Sequence, residues 1–232
     1  MPKTQVLRAA RRRLTQPQED YIKALYELRR PGQGVATSEL ANRLGVSGAA
    51  TTEMLDRLRS LDLATHDRYR GAGLTAAGEA IALEMLRHHR LIETWLVESL
   101  GYTWDEVHEE AEHLEHVISE RMEERIFAAL GRPELDPHGD PIPSAAGTLK
   151  MAAQRSLLEC RAGDRVEVRR VSDRDPEKLR ALQKLGLSLG EVVMVEAESR
   201  WDGPIRVRSG GRRLQLPIGL AAAVFVEAAG NG

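Results

Sequence analysis

The stretch His108-Glu109-Glu110-Ala111-Glu112-His113-Leu114-Glu115-His116 constrains this chain more than any other part of it. Read as a helix at about 100° per residue, it places His108, Glu112, Glu115 and His116 within an arc of roughly 100°. The apolar stripe of the same helix, Val107, Ala111, Leu114, Val117, Ile118 and Met122, runs directly beside that arc. Carboxylates at the edge of a core are costly unless a cation is paired with them. A fold that holds this helix must bury one side of it and bring positive charge to the next. The spacing therefore suggests a metal-ligating face, with a solvated acidic helix as the alternative. On the helix before it, His89 and Glu93 are four residues apart and share a face, and with His108 they can form a second set of ligands. His88 points about 100° away and reads as a solvated neighbour. His113 lies off the ligand arc, and His66 and His138 fall in predicted loops.

The net charge of −2 hides a segregation: +5 over residues 1–70, −11 over 71–140 and +4 over 141–232. A basic first third beside an acidic middle suits a polyanion reader joined to a cation binder. A single cysteine, Cys160, excludes an internal disulfide framework and fits a reducing compartment. No run approaches the apolar length of a membrane span, so the expectation is a cytoplasmic protein with no membrane partner. The zinc-protease pattern His-Glu-x-x-His is absent, since His108 and His113 are five apart. There is no phosphate-cradling glycine loop and no nucleophile in a diagnostic setting, so an enzyme has no positive support.

Local signals order the chain. Residues 1–14, with Arg8, Arg11, Arg12 and Arg13, read as a mobile basic tail. Pro17 opens a helix that carries Tyr21, Ile22, Leu25 and Leu28 on one face and ends near Pro31-Gly32. Ser38 caps a short helix from Glu39 to Leu44, closed by Gly45, and another runs from about Gly48 to Leu61. Two short helices around Gly45-Val46-Ser47 make a helix-turn-helix pattern, with a helical hairpin for protein contacts as the alternative. The segment from Leu63 to Gly71, closing with Leu74-Thr75, reads as a two-stranded wing. Base reading then falls after Ser47, on Ala49, Ala50, Thr51, Thr52 and Glu53. Thr37, Ser38, Arg57, Arg59, Arg68 and Arg70 would hold phosphates.

Thr75 caps a long helix from Ala76 to about Leu100, stopped by Gly101, and Thr103 caps another from Trp104 to Leu130, stopped by Gly131. Their apolar faces are too broad for one small domain, which points to dimerisation. Residues 131–147, rich in Pro and Gly, read as a linker, followed by a short helix from Leu149 to Leu158. Short apolar runs at 166–168, 192–195, 205–207, 214–216 and 224–226, with a helix near Pro176–Leu185, suggest a small β-barrel.

Several segments carry a family resemblance: Asp20-Tyr21-Ile22, Leu40-Ala41-Asn42-Arg43-Leu44-Gly45-Val46-Ser47, Leu74-Thr75-Ala76-Ala77-Gly78, His89-Arg90-Leu91-Ile92-Glu93, Val107-His108-Glu109-Glu110-Ala111, Glu115-His116-Val117 and Asp140-Pro141-Ile142-Pro143. Through them, Thr15 to Pro143 resembles the metal-dependent regulators of the diphtheria-toxin-repressor and iron-dependent-repressor family. The last part is similar to the SH3-like, ferrous-transport-protein-A-like modules of longer members. The resemblance implies a mainly α, multi-domain chain with a basic tail (1–14), a winged helix-turn-helix (15–75), a helical metal-binding and dimerisation domain (76–147), a linker (148–160) and an SH3-like domain (161–232). It implies a non-enzymatic transcriptional regulator of metal-ion homeostasis that binds a palindromic double-stranded DNA operator as a homodimer when loaded with metal.

It also implies residue roles. Glu112, Glu115 and His116 fall on the primary, activating site, and Asp20 matches the ligand sent from the DNA-binding domain. His89, Glu93 and His108 fall on an ancillary site, to which longer members sometimes add a third-domain ligand. The turn Asp173-Arg174-Asp175-Pro176-Glu177 offers Asp175 or Glu177 for that role, and helix capping is the alternative. Iron-sensing members have Met and Cys where this chain has Asp20 and Glu112, whereas manganese regulators have carboxylates at both. Three carboxylates and one imidazole make a hard donor set that favours Mn²⁺. Fe²⁺ is the alternative, and Zn²⁺, Co²⁺, Ni²⁺ or Cd²⁺ can substitute in vitro. Lys23 stands where manganese regulators often supply a further carboxylate, a departure that bears on their paired-ion cluster. The remaining alternatives are a winged-helix regulator that ignores metal and a metallohydrolase.

Overall fold

The computed structural model describes residues 11, 13–67, 70–150, 152–198 and 203–230. They divide into two compact units, one comprising Met1–His89 with Pro143–Leu149, the other Arg90–Ile142 with Lys150–Gly232.

The first unit opens with helix α1, Gln16–Leu28, whose first turn contains Pro17 and whose N-cap Thr15 donates its N–H to Gln18 Oε1 at 2.9 Å. Helix α2, Thr37–Leu44, ends at Gly45, held at φ 66 in the left-handed region that glycine adopts without strain. Helix α3, Gly48–Ser60, starts at Ser47, whose Oγ accepts the N–H of Ala50 at 3.2 Å. Strands β1 (Ala64–Asp67) and β2 (Gly71–Leu74) pair antiparallel, and Val35 adds a third rung by exchanging hydrogen bonds of 2.7 and 2.8 Å with Ala72. The first half of helix α4, Ala76–Leu100, is capped by the Thr75 hydroxyl and closes the unit. Ile22, Leu25, Leu40, Leu55, Leu58, Ile81 and Met85 are fully buried at its centre. Each such side chain contributes roughly 1.5–3 kcal/mol.

Three expectations change here. Helix α2 begins before Ser38, with Ala36 rather than Ser38 at its N-cap. Most of the tail reading lies outside the described residues, but Arg11 is buried, with its guanidinium against Glu19 (2.9 Å), Glu84 (3.3 Å) and His88 Nδ1 (3.0 Å). His88, in turn, is buried and is not a solvated neighbour.

In the second unit, the latter half of α4 carries Arg90 and Glu93. The single helix expected from Trp104 to Leu130 forms as two, α5 (Val107–Leu114) and α6 (Glu120–Ala129). Ser119 is the cause: it adopts an extended backbone so that its Oγ can accept the N–H of Met122 at 3.3 Å. The apolar stripe is thereby broken, leaving Val117 74% and Met122 42% exposed. Residues 131–142 are also not a loose linker. Asp136, His138, Gly139 and Asp140 are buried, and Leu135 bridges Pro141.

The helix expected at 149–158 is absent among the described residues. Strand β3 (Arg155–Ser156) pairs with the last strand, and a 3-10 turn over Leu157–Glu159 follows, its start capped by Ser156 Oγ. Leu157 and Cys160 are thereby buried in the core of the sheet. The remaining elements are β4 (Arg165–Val171), α7 (Pro176–Leu185), β5 (Val192–Ala197), β6 (Ile205–Ser209), β7 (Arg212–Leu216), α8 (Ile218–Ala221) and β8 (Val224–Ala228). The strands form one antiparallel sheet in the order β3-β8-β4-β5-β6-β7. Alternation along β6 sends Ile205 and Val207 into the core and Arg206 and Arg208 outward. The sheet does not close into the barrel expected. β3 spans two residues, Pro217 follows β7, and no ladder among the described residues joins these edges. No described helix is long and apolar enough to cross a membrane.

Candidate functional site

The helix-turn-helix of the first unit presents a small, sparsely charged face. Ala49, Ala50, Thr52 and Glu53, in the first turns of α3, are exposed, as are Ser38 and Ser47, and Thr37 is half-buried. Thr51 is not part of that face. It is fully buried, donating to Ser47 O at 3.0 Å and accepting from the Tyr21 hydroxyl at 3.3 Å, which makes it a packing position. Arg57 is ion-paired with Glu53, and Arg59 with Asp56 at 3.2 Å. These pairs are exposed, and such pairs hold together by only about 0–1 kcal/mol, so the guanidinium groups remain available to phosphates. At the wing tip Arg70 donates its N–H to Asp67 Oδ1 at 2.9 Å, and its side chain is exposed. Arg68 lies outside the described residues.

The acidic half of the chain folds around His108 in the second unit. Its Nδ1 lies 3.2 Å from Glu93 Oε1 and 3.8 Å from Asp173 Oδ2, and its Nε2 lies 3.6 Å from Glu112 Oε1. Glu93 is fully buried, and His89 stands one turn earlier on the same helix. Just beyond α5, Glu115 is also fully buried, with His116 Nε2 3.7 Å from its Oε1. Three carboxylates around one imidazole, and a buried carboxylate beside another, are donor sets that suit a divalent cation. In the first unit Asp20 is half-buried on α1, and Lys23, one turn on, is buried with its Nζ 3.1 Å from His89 Nδ1.

Comparison with known proteins agrees with this geometry. Residues 13–72 match the model of the iron dependent repressor N-terminal DNA binding domain, and residues 75–144 match that of the iron dependent repressor metal binding and dimerisation domain. Residues 155–228 match the FeoA domain. The iron-dependent repressor IdeR of Mycobacterium leprae is 33% identical over 221 residues, 90% of this chain and 96% of that protein. The chain belongs to the iron-dependent repressor family. Among solved structures, a manganese-dependent transcriptional repressor in complex with manganese is 41% identical, with a TM-score of 0.85 over 91% of this chain and all of that one. ScaR with bound Cd²⁺ is 34% identical, with a TM-score of 0.79 over 91% of this chain and 99% of that one. This member of the family is thus a metal-dependent, DNA-binding regulator of a non-enzymatic kind with an SH3-like domain.

Two residues that the sequence did not single out stand beside the acidic site. The turn before α7 faces His108 with Asp173, whereas Asp175 caps α7 by accepting the N–H groups of Glu177 and Lys178, and Glu177 is exposed. Only the acidity of that turn signalled a ligand; which carboxylate turns inward is set by the cap. His138, read as a loop residue without a role, is fully buried, with Nδ1 3.7 Å from Glu93 Oε2 and Nε2 3.1 Å from Trp104 O. Burial pushes the Asp136 carboxyl up to about 8, helped by the nearby Glu93 and Asp140 carboxylates. For His138 burial works downward, but Glu93 beside it outweighs this and raises it to about 9. Asp140 is raised by burial against the pull of Arg90 and Arg170.

Proposed function

We infer that this repressor responds to Mn²⁺ and, loaded with it, binds a palindromic operator as a homodimer. The observation that carries the metal assignment is the donor set: the carboxylates of Glu93, Glu112 and Asp173 surround the His108 imidazole and that of Glu115 lies beside His116, while the only cysteine, Cys160, is buried in the core of the sheet. A hard, oxygen-rich set selects Mn²⁺ over metals that prefer sulfur ligands. The manganese-dependent repressor among the similar structures supports the same reading, and the iron-dependent relatives keep Fe²⁺ as the alternative.

In this reading Asp20, Glu112, Glu115 and His116 form the activating site. His89, Glu93 and His108, with Asp173 in place of Asp175 or Glu177, form the ancillary one. The bound ion supplies the positive charge that gathered carboxylates lack. Asp20 is the ligand that this reading assigns to α1, which packs against α3 in the reading head. Ala49, Ala50 and Thr52 approach base edges, while Arg57, Arg59, Arg68 and Arg70 hold phosphates. Leu100, Val117 and Met122, exposed on the second unit, are apolar surface suited to self-association. Paired heads would read half-sites one helical turn apart, about 34 Å, or a multiple of it.

The test is a binding titration of genomic fragments against Mn²⁺, Fe²⁺, Zn²⁺ and Co²⁺, with reversal by chelator. Mn²⁺-dependent retention, lost in Asp20→Ala while the dimer persists, is the expected result. Equal operator binding by the metal-stripped chain would end this reading.

A further inference from the structure

The hairpin of β6 and β7 carries Arg206, Arg208, Arg212 and Arg213, and no acidic residue lies between Ile205 and Leu216. Gly210 and Gly211, at φ 53 and 79, close it in a two-residue turn that needs positive φ at both positions. Register then decides where the guanidinium groups stand. Arg165 on β4 pairs with Met194 on β5, Met194 with Arg208 on β6, and Arg208 with Arg213 on β7. All four side chains are exposed, so they form one row on the outer face of the sheet. Arg206, two residues before Arg208, is exposed on the same face. Arg212 is not part of it and turns to the end of α7, donating to Leu185 O at 2.9 Å.

Like charges directly opposite one another on neighbouring strands repel. Glu196, where the β5–β6 register shifts, answers this row with its carboxylate 2.8 Å from Arg208 Nε and 3.1 Å from Arg213 Nε. Arg208, helped by Arg213, holds that carboxyl below the usual carboxylate range, so one standing anion is shared by two cations. Toward β8 the same face is balanced, with Arg169 against Glu167 at 2.8 Å and Glu227 at 3.3 Å. Positive charge therefore gathers at the β5–β7 end. Those three strands contain no aromatic residue, which leaves nothing for unpaired bases to stack on.

We propose that this arginine row is a second surface for duplex DNA, gripping phosphates without reading sequence. Strands lie about 4.8 Å apart, so the row from Arg165 to Arg213 spans roughly 14 Å. One DNA strand sets about four phosphates over that length, at one per ~3.4 Å. Guanidinium forks match phosphate oxygens two bonds at a time. The pairs with Glu196 are exposed, hence weak, and yield to phosphate. Duplex is favoured over an acidic protein because the same chain carries a DNA-binding domain. DNA held there is presented to the row at an effective concentration on the order of mM, so a few contacts suffice. Nothing in this surface involves Asp20 or Mn²⁺.

The test measures binding of the full chain to a non-operator duplex by fluorescence anisotropy across a salt series, with Mn²⁺ and again in chelator. Arg165→Gln combined with Arg206→Gln leaves the Glu196 pairs in place. This double variant is expected to lower the salt slope by about 1.8, at about 0.9 per lost phosphate contact. Glu196→Gln frees two guanidinium groups and is expected to bind several-fold tighter, a gain that no loss of folding can imitate. Both effects should appear with and without Mn²⁺. An unchanged slope in the folded double variant, or weaker binding in Glu196→Gln, overturns the proposal. So does poly-glutamate that outcompetes the duplex on wild type but not on the double variant, which would assign the row to an acidic protein instead. An operator response to Mn²⁺ that fails while both effects persist would fault the Proposed function alone.

Discussion

Thr51 and Ala50 are neighbours on one helix with opposite tasks. Thr51 is fully buried, and its hydroxyl links Tyr21 on α1 to the Ser47 carbonyl that starts α3. Replacing it with Val keeps the volume and strands the Tyr21 hydroxyl, which should cost about 1–2 kcal/mol in denaturant unfolding. Operator affinity of the folded protein should stay unchanged. Ala50→Glu should do the reverse: stability within about 0.5 kcal/mol of wild type, because the site is exposed, and operator binding lost through repulsion from phosphate. Buried titratable groups give a second expectation at this scale. In the cation-free chain Asp136 keeps its proton up to about pH 8, while its ordinary value is 3.8, and His138 keeps its proton up to about 9 rather than 6.5. The folded state therefore binds more protons than the unfolded one across this window, and the stability these groups contribute falls as pH rises through it. Thermal unfolding in chelator should show a lower Tm at pH 9 than at pH 6. A rise over that interval would contradict the assignment.

Among the elements, the break between α5 and α6 depends on Ser119. Ser119→Ala removes the side-chain cap that Ser119 gives α6 and should cost about 1 kcal/mol, read by denaturant unfolding. Elements whose signals are local were legible in the sequence: Pro17 starting α1, Gly45 and Ser47 framing the turn, Thr75 and Gly101 bounding α4, and Pro176 opening α7. The α5–α6 break was hidden because apolar spacing continues through Val117 and Met122, so periodicity masked a cap that is equally present in the sequence. Residues 136–140 were misread because Pro and Gly announce a turn without saying whether it is buried. The shared face of His108 and Glu112 could be read from spacing because α5 carries both, whereas Glu115 and His116 fall just beyond its end. Asp173 and His138 could not, because they reach His108 and Glu93 from distant parts of the chain through the docking of β4 and the turn.

At the scale of the whole molecule, basic and acidic character are separated along the chain, +5 over residues 1–70 and −11 over 71–140. An isolated basic head would bind DNA at all times, and an isolated acidic region would bind cations at all times. Regulation requires that each event change the free energy of the other, and such coupling is reciprocal. If Mn²⁺ tightens operator binding by a given factor, saturating operator must tighten Mn²⁺ binding by that same factor. Coupling free energies of this kind are typically about 1–3 kcal/mol, or roughly 5–150-fold. Mn²⁺ titrations with and without operator should therefore differ by the factor that separates operator titrations with and without Mn²⁺. Asp20→Ala should bring both factors to one together, because it removes the carboxylate that the reading head contributes. Arg70→Ala provides the contrast: it should weaken every duplex alike and reduce the salt slope by about 1, leaving the Mn²⁺ coupling factor unchanged. Wild-type coupling factors in Asp20→Ala would mean that metal acts by another route, such as dimer formation, and not through Asp20.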